Sequence, residues 1–65
     1  MKLYKVQPGS KVKVIKGFGP PESPIISKGD VLEFARIDGM YSTCFRDKEK
    51  VYLSANAEVE ILDNH

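Results

Sequence analysis

Few side chains in this sequence of 65 residues could carry out reaction chemistry. Cys44 is the single cysteine and lies between Thr43 and Phe45 in a stretch of strand-like sequence, and His65 is the single histidine and stands at the end. A nucleophilic thiol needs a neighbouring base or positive charge that lowers its pKa. The sequence places no histidine and no second thiol where it could activate Cys44. We therefore expect Cys44 to be a buried structural thiol and the protein not to be an enzyme.

Metal and cofactor sites are not expected either. One cysteine cannot form an internal disulfide or by itself build a zinc site, and the glycines are scattered without the glycine-rich loop that binds phosphate. Turn-forming and solubilising roles account for the acidic residues that could otherwise be catalytic. These residues are Asp30, Glu33, Asp38 and Asp47.

Four residues are the candidates for contact with a partner. Phe18 stands between two glycines in a loop, so it either folds over one end of the molecule as a lid or serves as an exposed anchor. Tyr41 and Tyr52 belong to neighbouring predicted strands and could pair across them. If they are exposed together with Arg46, they form a small aromatic and basic surface suited to a protein or to single-stranded nucleic acid.

Lysines of the first strands offer an alternative binding surface. Lys11, Lys13 and Lys16 all precede the first acidic residue, Glu22, and could contact phosphates. Ten basic residues against nine acidic ones leave a net charge of only +1, whereas a dedicated nucleic-acid module usually has a clear basic excess. A solvated face is therefore the favoured interpretation of these lysines.

The length limits the chain to one domain spanning residues 1–65, with residues 63–65 as a frayed tail. A domain of this size buries about 60% of the surface that its unfolded chain exposes, so its core is small. The opening residues lack the apolar segment of a secretory signal, and no run approaches the roughly 20 apolar residues of a membrane helix. We expect a cytoplasmic location and no contact with a membrane.

Alternation of apolar and polar residues predicts strands in the first half of the chain. Lys11–Lys16 alternates well and should bury one face, and Lys2–Val6 is predicted to be a short first edge strand. Gln7–Ser10 has the composition of a turn. Gly17–Pro24 contains three prolines and is predicted to be a long loop, because proline is excluded from helix interiors and central strands.

The second half is organised around a long strand, Val31–Ile37, which follows a Lys-Gly-Asp turn. Its apolar residues fall on both faces, so either both faces are covered or the strand bends through a bulge. Asp38-Gly39 predicts a hairpin turn of type I′. The remaining predicted elements are a returning strand, a further strand, a short 3-10 turn and a last strand: Met40–Asp47, Val51–Leu53, Ser54–Ala57 and Glu58–Leu62.

This order of elements resembles the SH3-like small β-barrels. Pro8–Ile15 looks like the opening strand of such barrels, including the KOW type, and Lys28–Phe34 looks like their strongly bent second strand. Tyr52–Leu62 resembles their closing strand, 3-10 turn and strand; the opening and closing stretches are also similar to subunit IV of photosystem I. The resemblance implies an all-β fold: one small five-stranded barrel, with the long loop after the second strand and a 3-10 turn before the last.

The sequence departs from the peptide-binding SH3 domains. It has no tryptophan, and Ala55, Asn56 and Ala57 stand where those domains have proline and tyrosine around the 3-10 turn. The aromatic groove that grips PxxP peptides is therefore not supplied.

The leading functional hypothesis is a non-catalytic accessory module that presents one barrel face and the 17–24 loop to a partner protein. One alternative is a nucleic-acid-binding module of the KOW kind. Another is a structural subunit of an oligomer or larger complex, since a small core gains stability from association. The chain could be a monomer or a small homo-oligomer, and an accessory factor of a phage or bacterium fits each hypothesis.

Overall fold

The computed structural model describes residues 1–62 and shows an all-β protein with one five-stranded antiparallel sheet. A 3-10 helix precedes the strands. The elements are the 3-10 helix Leu3–Lys5, β1 (Lys11–Lys16), β2 (Val31–Asp38), β3 (Tyr41–Arg46), β4 (Glu49–Ser54) and β5 (Glu58–Ile61). The strand order is β4-β3-β2-β1-β5. The predicted all-β, five-stranded class is confirmed; the predicted frayed tail, residues 63–65, lies outside the described residues.

The predicted edge strand over Lys2–Val6 is wrong, because Leu3–Lys5 forms a 3-10 helix and Lys2 makes only an isolated bridge with Glu58. The Lys5 N–H donates to the Lys2 carbonyl oxygen (3.0 Å) and the Val6 N–H to that of Leu3 (2.9 Å). Leu3 and Val6 are both buried, and a spacing of three residues places both on one side of a 3-10 turn. The long loop consequently follows the first strand of the sheet and not the second.

The sheet wraps around a single core without closing into a barrel. β4 and β5 lie at opposite edges and are not hydrogen-bonded to each other. Their inward side chains nevertheless share one apolar cluster, in which Val51 and Leu53 of β4 pack with Val59 of β5. Phe34 and Leu32 are among the largest buried side chains in this cluster. The strand order and curvature thus bring distant parts of the chain to the same surface.

The long strand bends through a bulge, as one of the two predicted alternatives requires. The pairing between β2 and β3 shifts in register between Phe34 and Arg36, which leaves Ala35 as the extra residue. A second irregularity lies in β1 between Val14 and Lys16. Because a bulge bends its strand and increases the local twist, both features help the short sheet curl.

The hairpin between β2 and β3 differs by one residue from the prediction. Asp38 pairs with Tyr41, so Gly39 and Met40 are the central residues of the turn. Only Gly39 has a positive φ, of 70°. A positive φ at the first central position alone is the arrangement of a type II′ turn, so the predicted type I′ turn is wrong. The shift places Met40 at the tip of the hairpin, where its side chain is 79% exposed.

The next two turns are equally tight. Arg46 pairs with Glu49, so Asp47 and Lys48 form a two-residue turn between β3 and β4. The predicted 3-10 turn before the last strand consists of a single hydrogen bond, from the Ala57 N–H to the Ser54 carbonyl oxygen (3.0 Å). This turn redirects the chain from β4 at one edge of the sheet to β5 at the other.

Candidate functional site

The loop between β1 and β2 is fastened along the free edge of β4. The Ser54 N–H donates to the Phe18 carbonyl oxygen (2.7 Å), and the Tyr52 N–H donates to Ser23 Oγ (3.0 Å). A Cβ atom at Gly19 would collide with the carbonyl oxygen of Tyr52, so a residue without a side chain is needed at this approach. The loop takes the place of a sixth strand, which protects the edge of the sheet and holds Phe18 in position.

Phe18 projects from this anchored loop and packs against Tyr41. The ring centroids are 6.5 Å apart with the planes at 85°, an edge-to-face contact. The Phe18 side chain remains 64% exposed. The lid interpretation is therefore wrong: Phe18 does not close over the end of the fold but stands on its surface. Its role as an anchor for a partner remains a prediction.

A groove whose lining within residues 1–62 carries no charge opens beside this aromatic pair. It encloses about 460 Å³. We call it the aromatic groove, and it is lined by Tyr4, Phe18, Ile37, Gly39, Met40, Tyr41, Ser54, Ala55 and Asn56. Charged residues make up 29% of the whole chain, so the composition of this lining differs clearly from that of the chain. Depletion of charge together with exposed aromatic residues and methionine is characteristic of the centre of protein interfaces.

A second, smaller cleft of about 330 Å³ adjoins the aromatic groove at Tyr41. We call it the acidic cleft, and it is lined by Pro20, Glu22, Asp38, Tyr41 and Tyr52. Asp38 stands directly opposite Tyr41 in the pairing of β2 with β3. Within residues 1–62 neither Glu22 nor Asp38 forms an ion pair. The cleft therefore places two carboxylates that lack a direct ion pair beside an aromatic surface.

The two tyrosines do not form the predicted cross-strand pair. Tyr41 is opposite Ser54 and Tyr52 is opposite Thr43, so the tyrosines are diagonal neighbours on one face of the sheet. The Tyr52 ring instead receives the ammonium group of Lys50, whose nitrogen lies 5.8 Å from the ring centroid. Both tyrosines still meet at one place, since both line the acidic cleft.

The structure does not bring Arg46 together with these tyrosines. Arg46 ends β3, five residues from Tyr41, which corresponds to about 17 Å along an extended strand. Its guanidinium group donates to Asp30 Oδ2 (2.8 Å), to the Ile25 carbonyl oxygen (2.8 Å) and to Glu49 Oε1 (2.9 Å). Hydrogen bonds to the Glu49 and Asp30 carboxylates raise the pKa of Arg46. Arg46 therefore fastens the start of β2 to the β3–β4 hairpin.

The lysines proposed as phosphate contacts face acidic residues of the neighbouring strands. Lys13 Nζ lies 3.8 Å from Glu60 Oε1. Lys11 pairs with Glu33 in the β1–β2 ladder, and Lys16 pairs with Glu58 in the β1–β5 ladder. Positive and negative side chains alternate across this part of the sheet, so the lysines do not form a continuous basic surface.

Cys44 is a buried structural thiol, as predicted. Its side chain is fully buried, and this burial raises the pKa of the thiol. Its sulfur lies 3.4 Å from Ser42 Oγ, which also donates to the Leu53 carbonyl oxygen (2.9 Å). Among residues 1–62 no group of three or more His, Cys, Asp or Glu side chains is placed to bind a metal; His65 lies outside these residues.

A wider groove of about 720 Å³ lies elsewhere on the sheet, and its lining differs in kind. Five of its residues carry charge, and both signs are represented: Lys11, Glu33, Arg46, Asp47 and Lys48. Interface centres are depleted in charged residues, so the aromatic groove remains the better candidate site.

Tyr4, Ile37 and Met40 are site residues that the sequence did not single out. The sequence predicts Tyr4 within an edge strand and Met40 at the start of a returning strand. The only local signal was the glycine before Met40, which marks a turn in which the next residue can point away from the sheet.

No protein-family model matches the chain, and no curated protein or solved structure matches it either. No helix within residues 1–62 is both long and apolar enough to cross a membrane.

Proposed function

We propose that this chain is a non-catalytic protein-binding module that docks a partner on the aromatic groove, to which the Gly17–Pro24 loop contributes Phe18. The observation that supports this most is the composition of the groove. Tyr4, Phe18 and Met40 are each more than half exposed and lie together on a surface without charge. Water is displaced from such a surface at a gain of roughly 25 cal/mol per Å² of apolar area.

Phe18 is the proposed central anchor. Its backbone is held by the hydrogen bond with Ser54, and its ring is braced by Tyr41. An aromatic side chain that is already ordered loses little conformational entropy when a partner covers it. Truncation of such an anchor typically costs about 2 kcal/mol or more of binding free energy.

We further propose that the fold is an open member of the SH3-like barrels. The support is the long, bulged β2 at the centre of the sheet and the return of β5 to lie beside β1. Fold by itself does not specify a role, so the functional proposal depends on the groove and not on this assignment.

Nucleic-acid binding is the less favoured alternative. Lys13 is paired with Glu60, and Lys11 and Lys16 stand opposite carboxylates. The aromatic groove itself contains no basic residue that would neutralise phosphate.

Quantitative affinity capture from the source cell tests the proposal. The protein carrying Phe18→Ser is compared with the wild type and with Ile25→Ser, which removes an apolar side chain that is 84% exposed and lies outside the groove. We expect one or more proteins to be lost with Phe18→Ser and retained with Ile25→Ser, while both variants unfold at similar temperatures. Equal capture by all three proteins would rule out the aromatic groove as the docking surface.

A further inference from the structure

The acidic cleft continues the aromatic groove, and Tyr41 belongs to both. A segment of a partner that lies in the groove therefore reaches the cleft without leaving the surface. The two depressions differ in charge: the groove has no charged residue, whereas the cleft has Glu22 and Asp38. This difference bears on the chemistry of the partner.

The carboxylates of the cleft are available, whereas others in the sheet are not. Asp30 and Glu49 are bound to Arg46, and Glu60 is paired with Lys13. Glu22 and Asp38 have no such partner within the described part of the chain. A cation from another molecule would compensate both without breaking an existing ion pair.

The aromatic walls of the cleft favour the same ligand charge. Tyr41 and Tyr52 are both part of its lining, and the face of a tyrosine ring attracts cations. Lys50 places its ammonium nitrogen 5.8 Å from the Tyr52 centroid, so this ring already attracts a cation, which an incoming guanidinium group would have to displace. A guanidinium group has flat faces that stack on aromatic rings and an edge of N–H donors that pairs with carboxylates, and the cleft supplies both kinds of partner.

We propose that the partner presents a segment in which a basic residue is followed or preceded by apolar residues. The basic side chain, arginine above all, enters the acidic cleft between Tyr41 and Tyr52 and is neutralised by Asp38 and Glu22. The neighbouring apolar side chain packs in the aromatic groove against Phe18. This inference rests on the proposed function and specifies the partner's chemistry at the same surface.

A random peptide library displayed on phage is the probe, selected on the immobilised full chain. We expect the enriched peptides to share an arginine or lysine next to apolar residues. The tightest peptide is then synthesised with each arginine replaced by citrulline, which keeps the shape and removes the charge. At the critical position the replacement should weaken binding about threefold to thirtyfold, as the loss of a cation–π contact at a partly exposed site does.

Variants of the protein locate the effect. Asp38→Asn and Glu22→Gln should each weaken binding of the arginine peptide. The loss of affinity caused by replacing arginine with citrulline should be smaller in both variants, because the carboxylate and the guanidinium group interact with each other. Glu60→Gln is the matched control, since it removes the same charge at β5 on the opposite side of the sheet and should leave affinity unchanged. Glu22 is an exposed loop residue, so its variant tests the idea even if Asp38→Asn disturbs the hairpin.

The outcomes separate this inference from the proposed function. Neutral or acidic peptides whose binding is abolished by Phe18→Ser would overturn the basic segment and leave the docking surface standing. Peptides that bind Phe18→Ser as well as wild type would overturn the docking surface itself. A selection that enriches no peptide, or a single-stranded oligonucleotide that binds through Tyr41 and Tyr52, would also overturn the inference.

Discussion

Ser23 provides the sharpest test of how the binding loop is held. Its hydroxyl oxygen accepts a hydrogen bond from the Tyr52 N–H at 3.0 Å, a group that would otherwise project from the free edge of β4. The hydroxyl proton can reach the Pro24 carbonyl oxygen (3.2 Å) or that of Tyr52 (3.4 Å). Ser23 thus substitutes for the strand that β4 lacks on this side, and Ser23→Ala removes that substitute.

The loss of stability in Ser23→Ala depends on whether the Tyr52 N–H finds another hydrogen-bond acceptor. A typical hydrogen bond contributes about 0.5–1.5 kcal/mol net, and a buried donor left without a partner costs about 1–3 kcal/mol. Tyr52 and Ser23 are both only partly buried, so water can reach the freed N–H and the lower range applies. We expect Ser23→Ala to lower the free energy of unfolding by about 1 kcal/mol, which corresponds to a fall in Tm of about 4–8 °C for a small domain.

Urea and thermal unfolding measure this change, and Ser27→Ala is the control. Ser27 lies in the same connection, and its N–H donates to Asp30 Oδ2 (2.9 Å), but its hydroxyl makes no hydrogen bond within residues 1–62. Loss of this hydroxyl should change stability by less than about 0.5 kcal/mol.

Hydrogen exchange adds a local measurement. If Ser23 holds the loop, the amides of Tyr52 and Ser54 should exchange faster in Ser23→Ala than the global loss of stability explains, because local opening of the loop exposes both. Core amides such as that of Val12 should follow global unfolding. If Ser23→Ala has the same unfolding midpoint as Ser27→Ala and its Tyr52 amide is as protected as in wild type, then Ser23 does not hold the loop.

Three further predictions concern stability and reactivity. Asp47 has a φ of 58° at the first position of its turn, so Asp47→Gly should relieve strain and raise the free energy of unfolding by up to about 1 kcal/mol in urea titrations; a decrease would contradict this. The Ser27 N–H and the Arg46 guanidinium lower the pKa of Asp30. The stabilising contribution of the Asp30 carboxylate is therefore complete above the unfolded pKa of about 3.9 and is lost as the pH falls through the lower folded pKa. The urea midpoint of Asp30→Asn should consequently decline less steeply in acid than that of wild type. Parallel plots of urea midpoint against pH for the two proteins would refute the assignment. Cys44 is buried with a raised pKa, so a thiol reagent should modify it at a rate that rises with urea through the unfolding transition; rapid modification of the native protein would show that the thiol is accessible.

The five strands of the sheet and the burial of the thiol could be predicted from the sequence. Alternation specified β1, and the excess of apolar residues in Val31–Ile37 left two alternatives, of which the register shift at Ala35 shows the bulge. These features depend on residues close together in the chain. The prediction failed where the local sequence is compatible with two structures. Leu3 and Val6 suit a short strand as well as a 3-10 turn. The 3-10 turn forms because it lets both side chains pack in the core.

Which side chains share a surface depends on long-range contacts and could not be predicted from the sequence. Tyr4, Phe18 and Tyr41 come from the 3-10 helix, the loop and β3, and they converge because the loop is fastened to β4 while the sheet curls. The same long-range pairing places the acidic β5 beside the lysines of β1 and brings Asp30 to Arg46. Periodicity reports which residues one element buries, but contacts between elements depend on strand order and curvature, which are set by how the entire core is covered.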